Sequence, residues 1–291
     1  MGIFDGKKGL ILGVANDHSI AWYIAKFIME QGGACGFTHL PDKPEDDRKK
    51  NRGRVQKCID GFPDQAKFLV PLNVQSDENI AEVMERTKQE FGQIDFLLHS
   101  IAFAKLEELK KDFPTTKTSR DGFLMAMEIS AFSLLAVCNA AKDILKKAVV
   151  QTDNKGERHL VEPGASVLTL TYYGGERIVP GYNVMAICKA ALDSCMKYAA
   201  YDLGADGIRV NALSAGPLKT LAGTAAGVGE MQKLYQEIAP QQRCVTHDEV
   251  GRTGAFLLST MSEGITAETL HVDGGYSEMG SPGRMLEKLR S

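Results

Sequence analysis

Gly9-Leu10-Ile11-Leu12-Gly13-Val14-Ala15-Asn16-Asp17-His18-Ser19-Ile20-Ala21 passes from a short apolar run, through a turn, straight into helical spacing that continues to Glu30. A run this short, bounded by glycine, reads as a buried strand and the segment behind it as a helix. The same alternation recurs along the chain. Apolar runs at Ala34 to Thr38, Lys67 to Leu72, Ile94 to His99, Ala165 to Thr171, Gly207 to Leu213 and Thr269 to Val272 are separated by helical segments such as Asn79 to Phe91, Phe123 to Lys147 and Asn183 to Leu203. Strand, helix, strand repeated in this way gives a mainly parallel sheet with helices on both faces. The expected fold is therefore α/β, a single doubly wound Rossmann-type domain over residues 1–291. No internal repeat, low-complexity block or composition shift marks a second domain.

The turn after the first strand has two readings. Phosphate binding at a helix N-terminus needs free backbone N–H groups and a turn without bulky side chains. In the pattern G-x-x-x-G-x-G, Gly13 fits, but Asp17 and Ser19 stand at the later glycine positions. Ser19 could offer its hydroxyl to a pyrophosphate, or it could be the N-cap of a plain strand-to-helix turn.

The bulk numbers narrow the partners. The chain has 291 residues, with 34 Lys+Arg against 37 Asp+Glu and a formal net charge of -3, which argues against nucleic acid as the main partner. The six cysteines, Cys35, Cys58, Cys138, Cys188, Cys195 and Cys244, show no C-x-x-C pair and no metal-ligand spacing, so they read as free thiols in a reducing compartment. The first apolar run is too short for a signal peptide, and no later segment is read as a membrane span. A cytoplasmic, soluble protein without a metal is the expectation.

Two stretches interrupt the alternation. Val149 to Pro163 is polar, carries an Asn-Lys-Gly turn signal, and is expected to form an exposed excursion without chemistry. Leu218 to Pro240 begins with small residues and glycines and leads into a helical stretch. It reads equally as a mobile cover over a pocket or as a loosely packed surface helix pair.

Tyr182 and Lys189 stand seven apart in Tyr-Asn-Val-Met-Ala-Ile-Cys-Lys, about two turns along one helix face, with Tyr172 ten residues upstream. A phenol and an ammonium projecting into one cleft can move protons, and the lysine is expected to favour the phenolate and lower the tyrosine pKa. The lysine also carries three donors for ligand hydroxyls. On spacing alone, an ordinary amphipathic helix explains the pair as well.

Taken with His99-Ser100-Ile101-Ala102-Phe103-Ala104, Ala215-Gly216-Pro217-Leu218-Lys219-Thr220-Leu221-Ala222 and His271-Val272-Asp273-Gly274-Gly275-Tyr276, these pieces resemble the divergent branch of the short-chain dehydrogenase/reductase superfamily, and within it bacterial enoyl-[acyl-carrier-protein] reductases. The resemblance runs from about Gly6 to Tyr276. Departures from ordinary members point the same way. Thr169-Leu170-Thr171-Tyr172 stands where those enzymes place a catalytic serine, and His-Ser-Ile-Ala stands where they carry Asn-Asn-Ala-Gly.

The resemblance implies hydride transfer from NADH, or alternatively NADPH, to C3 of a trans-2-enoyl thioester borne on acyl carrier protein. Tyr182 would hydrogen-bond the thioester oxygen, Lys189 would hold the nicotinamide ribose, and Tyr172 would shape the site or pack beside it. Gly13, Ser19 and Ile20 would line the pyrophosphate turn, and Asn73 and Val74 the adenine, although the family often has aspartate at the first of these. Ser100 and Ile101 would border the adenosine, and Leu218 and Thr220 would meet the nicotinamide amide and pyrophosphate beneath a flap at about 218–240. His99 is read as a buried, hydrogen-bonded histidine. The second strand ends Phe37-Thr38-His39-Leu40, with neither the acid that marks NAD nor a base that marks NADP, and the nearby Arg48-Lys49-Lys50 reads as a solvated helix face. The resemblance also implies a homotetramer, which would bury the tail Ser281 to Ser291 and the helices at Phe123 to Lys147 and Asn183 to Leu203. The alternatives are a 3-ketoacyl or other carbonyl reductase of the same superfamily, which lacks its serine here, and a non-catalytic dinucleotide-sensing regulator.

Overall fold

The computed structural model describes residues 2–110, 112–219 and 228–288. Its strands are β1 (Lys8–Leu12), β2 (Ala34–His39), β3 (Ala66–Pro71), β4 (Phe96–His99), β5 (Val149–Thr152), β6 (Arg158–Glu162), β7 (Ser166–Thr171), β8 (Arg209–Ala215) and β9 (Thr269–Val272). Seven of them form one sheet in the order β3-β2-β1-β4-β7-β8-β9, and every neighbouring pair is parallel. The doubly wound expectation holds. Strand order reverses between β1 and β4, the point at which such sheets open a crevice beyond their carboxyl ends.

Helices cover both faces: α1 (Ile20–Glu30), α2 (Lys50–Ile59), α3 (Asp77–Phe91), α4 (Arg120–Met127), α5 (Ser133–Ala141), α6 (Asn183–Gly204), α7 (Val228–Ile238), α8 (His247–Leu258) and the short α9 (Met285–Lys288). Because side chains alternate across a strand, successive residues feed different cores. Leu10, Leu12, Leu97 and Val167 pack with residues of α3, α5 and α6, while Ile11, Phe96, Leu98 and Leu168 pack with α1 and α8. All seven positions of β8 are buried, as expected of a strand covered on both sides.

The helix expected at Phe123 to Lys147 differs in detail. It starts earlier, where Ser119 accepts a bond from the Gly122 N–H as N-cap, passes through a π turn at Glu128–Phe132, and ends at Ala141. The chain leaves the helix because Ile94 N–H donates to Ile144 O and Lys146 N–H to Ile94 O, drawing these residues onto the sheet margin. The run Arg120–Ala141 is long and apolar enough to cross a bilayer by length and composition, which the sequence reading did not register. Its buried side belongs to the core, with Ala126, Ser130, Ala131, Leu134 and Val137 enclosed.

The excursion before β7 is a β-hairpin. β5 and β6 pair antiparallel around a turn with Gly156 at φ +84, and every residue of both strands is exposed. Of the expected flap at 218–240, residues 220–227 lie outside the described residues, and 228–238 form α7.

Candidate active site

The turn from β1 into α1 is shaped by a glycine and closed by a serine. Gly13 has φ +93, and a Cβ there would lie 1.9 Å from the Ser100 carbonyl oxygen, so the ends of β1 and β4 meet only because this residue has no side chain. Gly13→Ala is therefore expected to lower the unfolding temperature and weaken dinucleotide binding together, by about 3 kcal/mol in stability, checked by thermal unfolding and by titration with the dinucleotide. Ser19 Oγ accepts from Ala15 N–H at 3.0 Å and Asn16 N–H at 3.1 Å. Although Ser19 occupies the N-cap position, its side chain makes no cap bond to α1. The hydroxyl therefore rigidifies the turn rather than capping the helix, and the first-turn amides of α1, beginning with Ile20, keep their tendency to attract an anion.

Ser100 continues the β4 line, its N–H donating to Leu12 O at 3.1 Å, and Ile101 packs against the core. Ser130 and Ser133, set in and just after the π turn, support this segment. Phe103 N–H donates to Ser130 Oγ, and the Ser130 hydroxyl returns a bond to Phe103 O. π turns recur at functional sites because they re-aim side chains within a helix. Ser133 donates to Ile129 O at 2.6 Å, so it accepts from His99 Nε2 at 2.9 Å, and His99 Nδ1 accepts in turn from the Thr169 hydroxyl at 3.0 Å. Burial, then the Lys189 charge, push His99 down to about 3. It is a neutral structural imidazole, as the sequence suggested.

Tyr172 follows β7 directly. Its ring lies edge-on to Tyr182, centroids 4.8 Å apart at 67°. Tyr182 stands at the N-cap position of α6, and the next residue, Asn183, takes φ +48, a left-handed conformation that asparagine tolerates better than most. Asn183 Nδ2 donates to Glu108 O and Lys110 O, each at 3.1 Å, which pins the start of the helix. Lys189, two turns on, is 6% exposed and donates from Nζ to Leu170 O at 2.6 Å. Gly175 lets the turn after β7 lie against α6, since a Cβ there would meet the Ala190 nitrogen at 2.8 Å and the Lys189 carbonyl carbon at 2.9 Å.

The electrostatics correct one expectation. Burial pushes Lys189 down to about 8, with Asp193 and Cys188 pulling the other way. Tyr182 is not lowered by the lysine: burial first, then Tyr172, Cys188 and Asp193, hold it well above the ordinary phenol range. Tyr182 is thus a neutral donor, because enclosure disfavours its phenolate.

The structure brings Gly13 and Ser100 into contact and places Tyr172, Tyr182 and Lys189 around the end of β7. Asn73 and Val74 follow β3, two strands away from β1. Asn73 N–H is held by Asn79 Oδ1 at 2.7 Å, and Val74 is buried. The Leu218 side chain is packed into the core on the α1 side, and Thr220 lies outside the described residues. Three more aromatic residues complete the wall: Tyr276, which ends the His271–Tyr276 motif, and Tyr173 and Tyr235, which the sequence did not single out. Tyr173 meets Tyr276 edge-on at 5.9 Å, and Tyr276 stacks on Tyr235 of α7 at 3.7 Å. Asp193 was also missed, although its i,i+4 spacing from Lys189 was legible. Its buried Oδ1 and the nearby Thr171 Oγ1 have no hydrogen-bond partner among the described residues.

A family model described as "Enoyl-(Acyl carrier protein) reductase" matches residues 13–277. The chain belongs to the enoyl-(acyl carrier protein) reductase family. Within that family it is 42% identical over 283 residues to an enoyl-[acyl-carrier-protein] reductase [NADH] of Bacillus cereus, covering 96% of this chain and 100% of that protein. It is 39% identical to an enoyl-[acyl-carrier-protein] reductase [NADPH] of Staphylococcus aureus, covering 94% of this chain and 97% of that protein. The crystal structure of the Anaplasma phagocytophilum reductase in complex with NAD superposes with a TM-score of 0.83 at 36% identity, covering 96% of this chain and 97% of that one. The family thus shares this fold along nearly its whole length, including the segment from Gly13 to Tyr276 that carries the site.

Proposed function

We propose that the chain is an enoyl-[acyl-carrier-protein] reductase of fatty acid biosynthesis, reducing a trans-2-enoyl thioester carried on acyl carrier protein. The observation that carries this reading is the pair of neighbouring phenols, Tyr172 and Tyr182, with Lys189 behind them, at the carboxyl end of β7. A carbonyl reductase of the superfamily needs a serine donor there. Here Thr169 is committed to His99 instead.

The residues present suit a nicotinamide dinucleotide. The side-chain-free cradle at Gly13, the uncapped first turn of α1 and the buried ammonium of Lys189 are a phosphate seat and a hydroxyl anchor. When bound, the reduced dinucleotide supplies the hydride that adds to C3 of the enoyl group. Gly13, Ser19 and Ile20 hold its pyrophosphate, Asn73 and Val74 flank its adenine, Ser100 and Ile101 border its adenosine, and Lys189 holds its ribose. Leu218 and Thr220 would meet the nicotinamide amide and pyrophosphate. NADH is the favoured form. Similar reductases of both cofactor types leave NADPH as the second form to assay.

As hydride adds at C3, negative charge grows on the thioester oxygen. Tyr182, kept protonated by its surroundings, donates to that oxygen more strongly as the charge develops, and such differential stabilisation lowers the barrier. Tyr172 stands beside it as a second wall and donor. A proton drawn from water, which leaves hydroxide to be neutralised by the buffer, then adds at C2 and completes the saturated thioester.

One domain with 218–240 as its substrate flap, in a cytoplasmic homotetramer, accounts for six free cysteines and for apolar groups left on helix faces: Leu124 and Phe132 on the 120–141 run, and Ile187, Tyr198 and Tyr201 on α6. Light scattering is expected to give four times the chain mass, and a monomer would refute this part.

The activity is tested by mixing the protein with NADH or NADPH and a crotonyl or an acetoacetyl thioester while following reduced nicotinamide absorbance. Oxidation with the crotonyl thioester is the expected result. Oxidation with only the acetoacetyl thioester means a carbonyl reductase, and dinucleotide binding with neither turnover means a regulator.

A further inference from the structure

The first residues of α6 depart from ordinary helix entry. Tyr182, at the N-cap, has helical dihedrals of φ -82 and ψ -18, whereas N-cap residues typically lie in the β region. The next residue, Asn183, takes φ +48, in the left-handed region. The backbone of Asn183 therefore sets how the chain turns between the helix axis and Tyr182, and with it the direction of the phenol. Conformation alone does not call for asparagine, because glycine adopts a positive φ at no steric cost. What asparagine adds is an amide donor: Nδ2 donates to Glu108 O and to Lys110 O, 3.1 Å each, across 75 and 73 residues of sequence. Both partners are carbonyls, which only accept, so the orientation of the amide is fixed.

The segment that supplies those carbonyls is itself tied down. The buried Glu108 carboxylate accepts from the Ser119 N–H at 3.1 Å and from the Ser119 hydroxyl at 2.6 Å, closing the connection between β4 and α4 on itself. Ser119 Oγ in turn accepts from the Gly122 N–H at the start of α4. Tyr182, Leu109 of the connection and Phe123 of α4 pack against one small apolar cluster that includes Ala104, Val184 and Met185. The Tyr182 ring also lies against Gly174, where a Cβ would come within 2.6 Å of its Cδ1. Phenol, connection and helix start thus form one packed unit, and the Asn183 amide is the polar bond across it.

We propose that Asn183 is a positioning residue for Tyr182: its amide clamps the start of α6 to the β4–α4 connection and so fixes the angle at which the phenol meets the thioester oxygen. This rests on the reading of Tyr182 as the donor in enoyl reduction. A donor contributes most when it is aimed in advance at the place where charge develops, and a misplacement of about 1 Å can cost about 100-fold in rate. Asn183 acts through the phenol alone, with no contact of its own to the substrate.

Two variants test it on a crotonyl thioester. Asn183→Gly keeps the left-handed backbone and removes both bonds, and Asn183→Asp keeps the shape while exchanging the donor for an acceptor, which provides a second measure if one of the two does not fold. Each is expected to lower kcat about tenfold, with KM and the dinucleotide Kd within about twofold. In the Tyr182→Phe background the same changes are expected to lower kcat by less than about twofold, because the group they aim is already gone. A lowered Tm with unchanged kcat means a role in folding only and overturns the proposal, as does a loss of kcat that persists in full in the Tyr182→Phe background. If the wild type reduces no crotonyl thioester, the enoyl reading fails, and the clamp on the phenol is judged separately by fluorine NMR on protein labelled with fluorotyrosine. The Tyr182 resonance, identified by its loss in Tyr182→Phe, is expected to move in Asn183→Gly, and a stationary resonance overturns the clamp.

Discussion

Tyr182→Phe is expected to lower kcat on a crotonyl thioester about 100-fold while leaving the dinucleotide Kd within about twofold, the magnitude typical of removing one donor aimed at a developing oxyanion. The reason lies in the ionisation state. Burial, with Tyr172, Cys188 and Asp193 nearby, keeps the Tyr182 proton in place. The hydroxyl therefore stays a donor around neutral pH, and its loss removes stabilisation that exists chiefly in the transition state. Phenylalanine preserves the edge-on packing against Tyr172, so the fold should be unaffected. Stopped-flow turnover and fluorescence titration of the dinucleotide separate the two quantities, and equal losses in both would contradict the assigned role.

Lys189→Ala should act differently, weakening dinucleotide affinity by at least about tenfold as well as lowering turnover, since it removes a buried ammonium and its bond to Leu170 O. Lys189→Met keeps most of the volume and separates charge from packing. The pH dependence has a definite sign. The folded-state pKa of Lys189 is about 8 against an ordinary 10.5, so the folded protein holds fewer protons at this site than the unfolded chain between those values. Stability of the free protein therefore rises as pH climbs from about 8 toward 10.5, because the cost of the buried charge is complete below 8 and is relieved above it. Binding that needs the ammonium runs the other way, and dinucleotide affinity is expected to fall above about pH 8. Calorimetry and binding titrations from pH 6.5 to 10, with Lys189→Met subtracting other groups, check both slopes. Parallel slopes in the two experiments would show that Lys189 is not the anchor.

Much of the architecture was legible because buried parallel strands are continuous apolar runs. Gly9 to Leu12 and Thr269 to Val272 lie at the observed β1 and β9. α2 was hidden because only Val55, Cys58 and Ile59 of its ten residues are buried, leaving little apolar spacing to read. α8 could have been found from its capping box, in which Thr246 and Glu249 satisfy each other's backbone groups. In the hairpin, neither strand has a buried face, so no apolar alternation marked them in the sequence. At the site, spacing put Tyr182 and Lys189 on one helix, as α6 has them, but spacing carries no information about enclosure, and enclosure decides the phenol's ionisation. Tyr235 was out of reach for a related reason. It meets Tyr276 only in the fold, and the two are distant in sequence.

The hairpin has a practical side. It leaves the sheet before Ser166, at the amino end of β7, while Tyr172 follows the carboxyl end. Its base is already closed, because Ala165 N–H donates to Lys146 O at 2.7 Å and Ala148 N–H to Asp206 O at 2.9 Å. The chain enters and leaves this appendage through one narrow, hydrogen-bonded neck. That makes the tip around Asn154 and Lys155 a natural splice point, where a reporter or affinity module can be grafted on the side of the molecule remote from the chemistry.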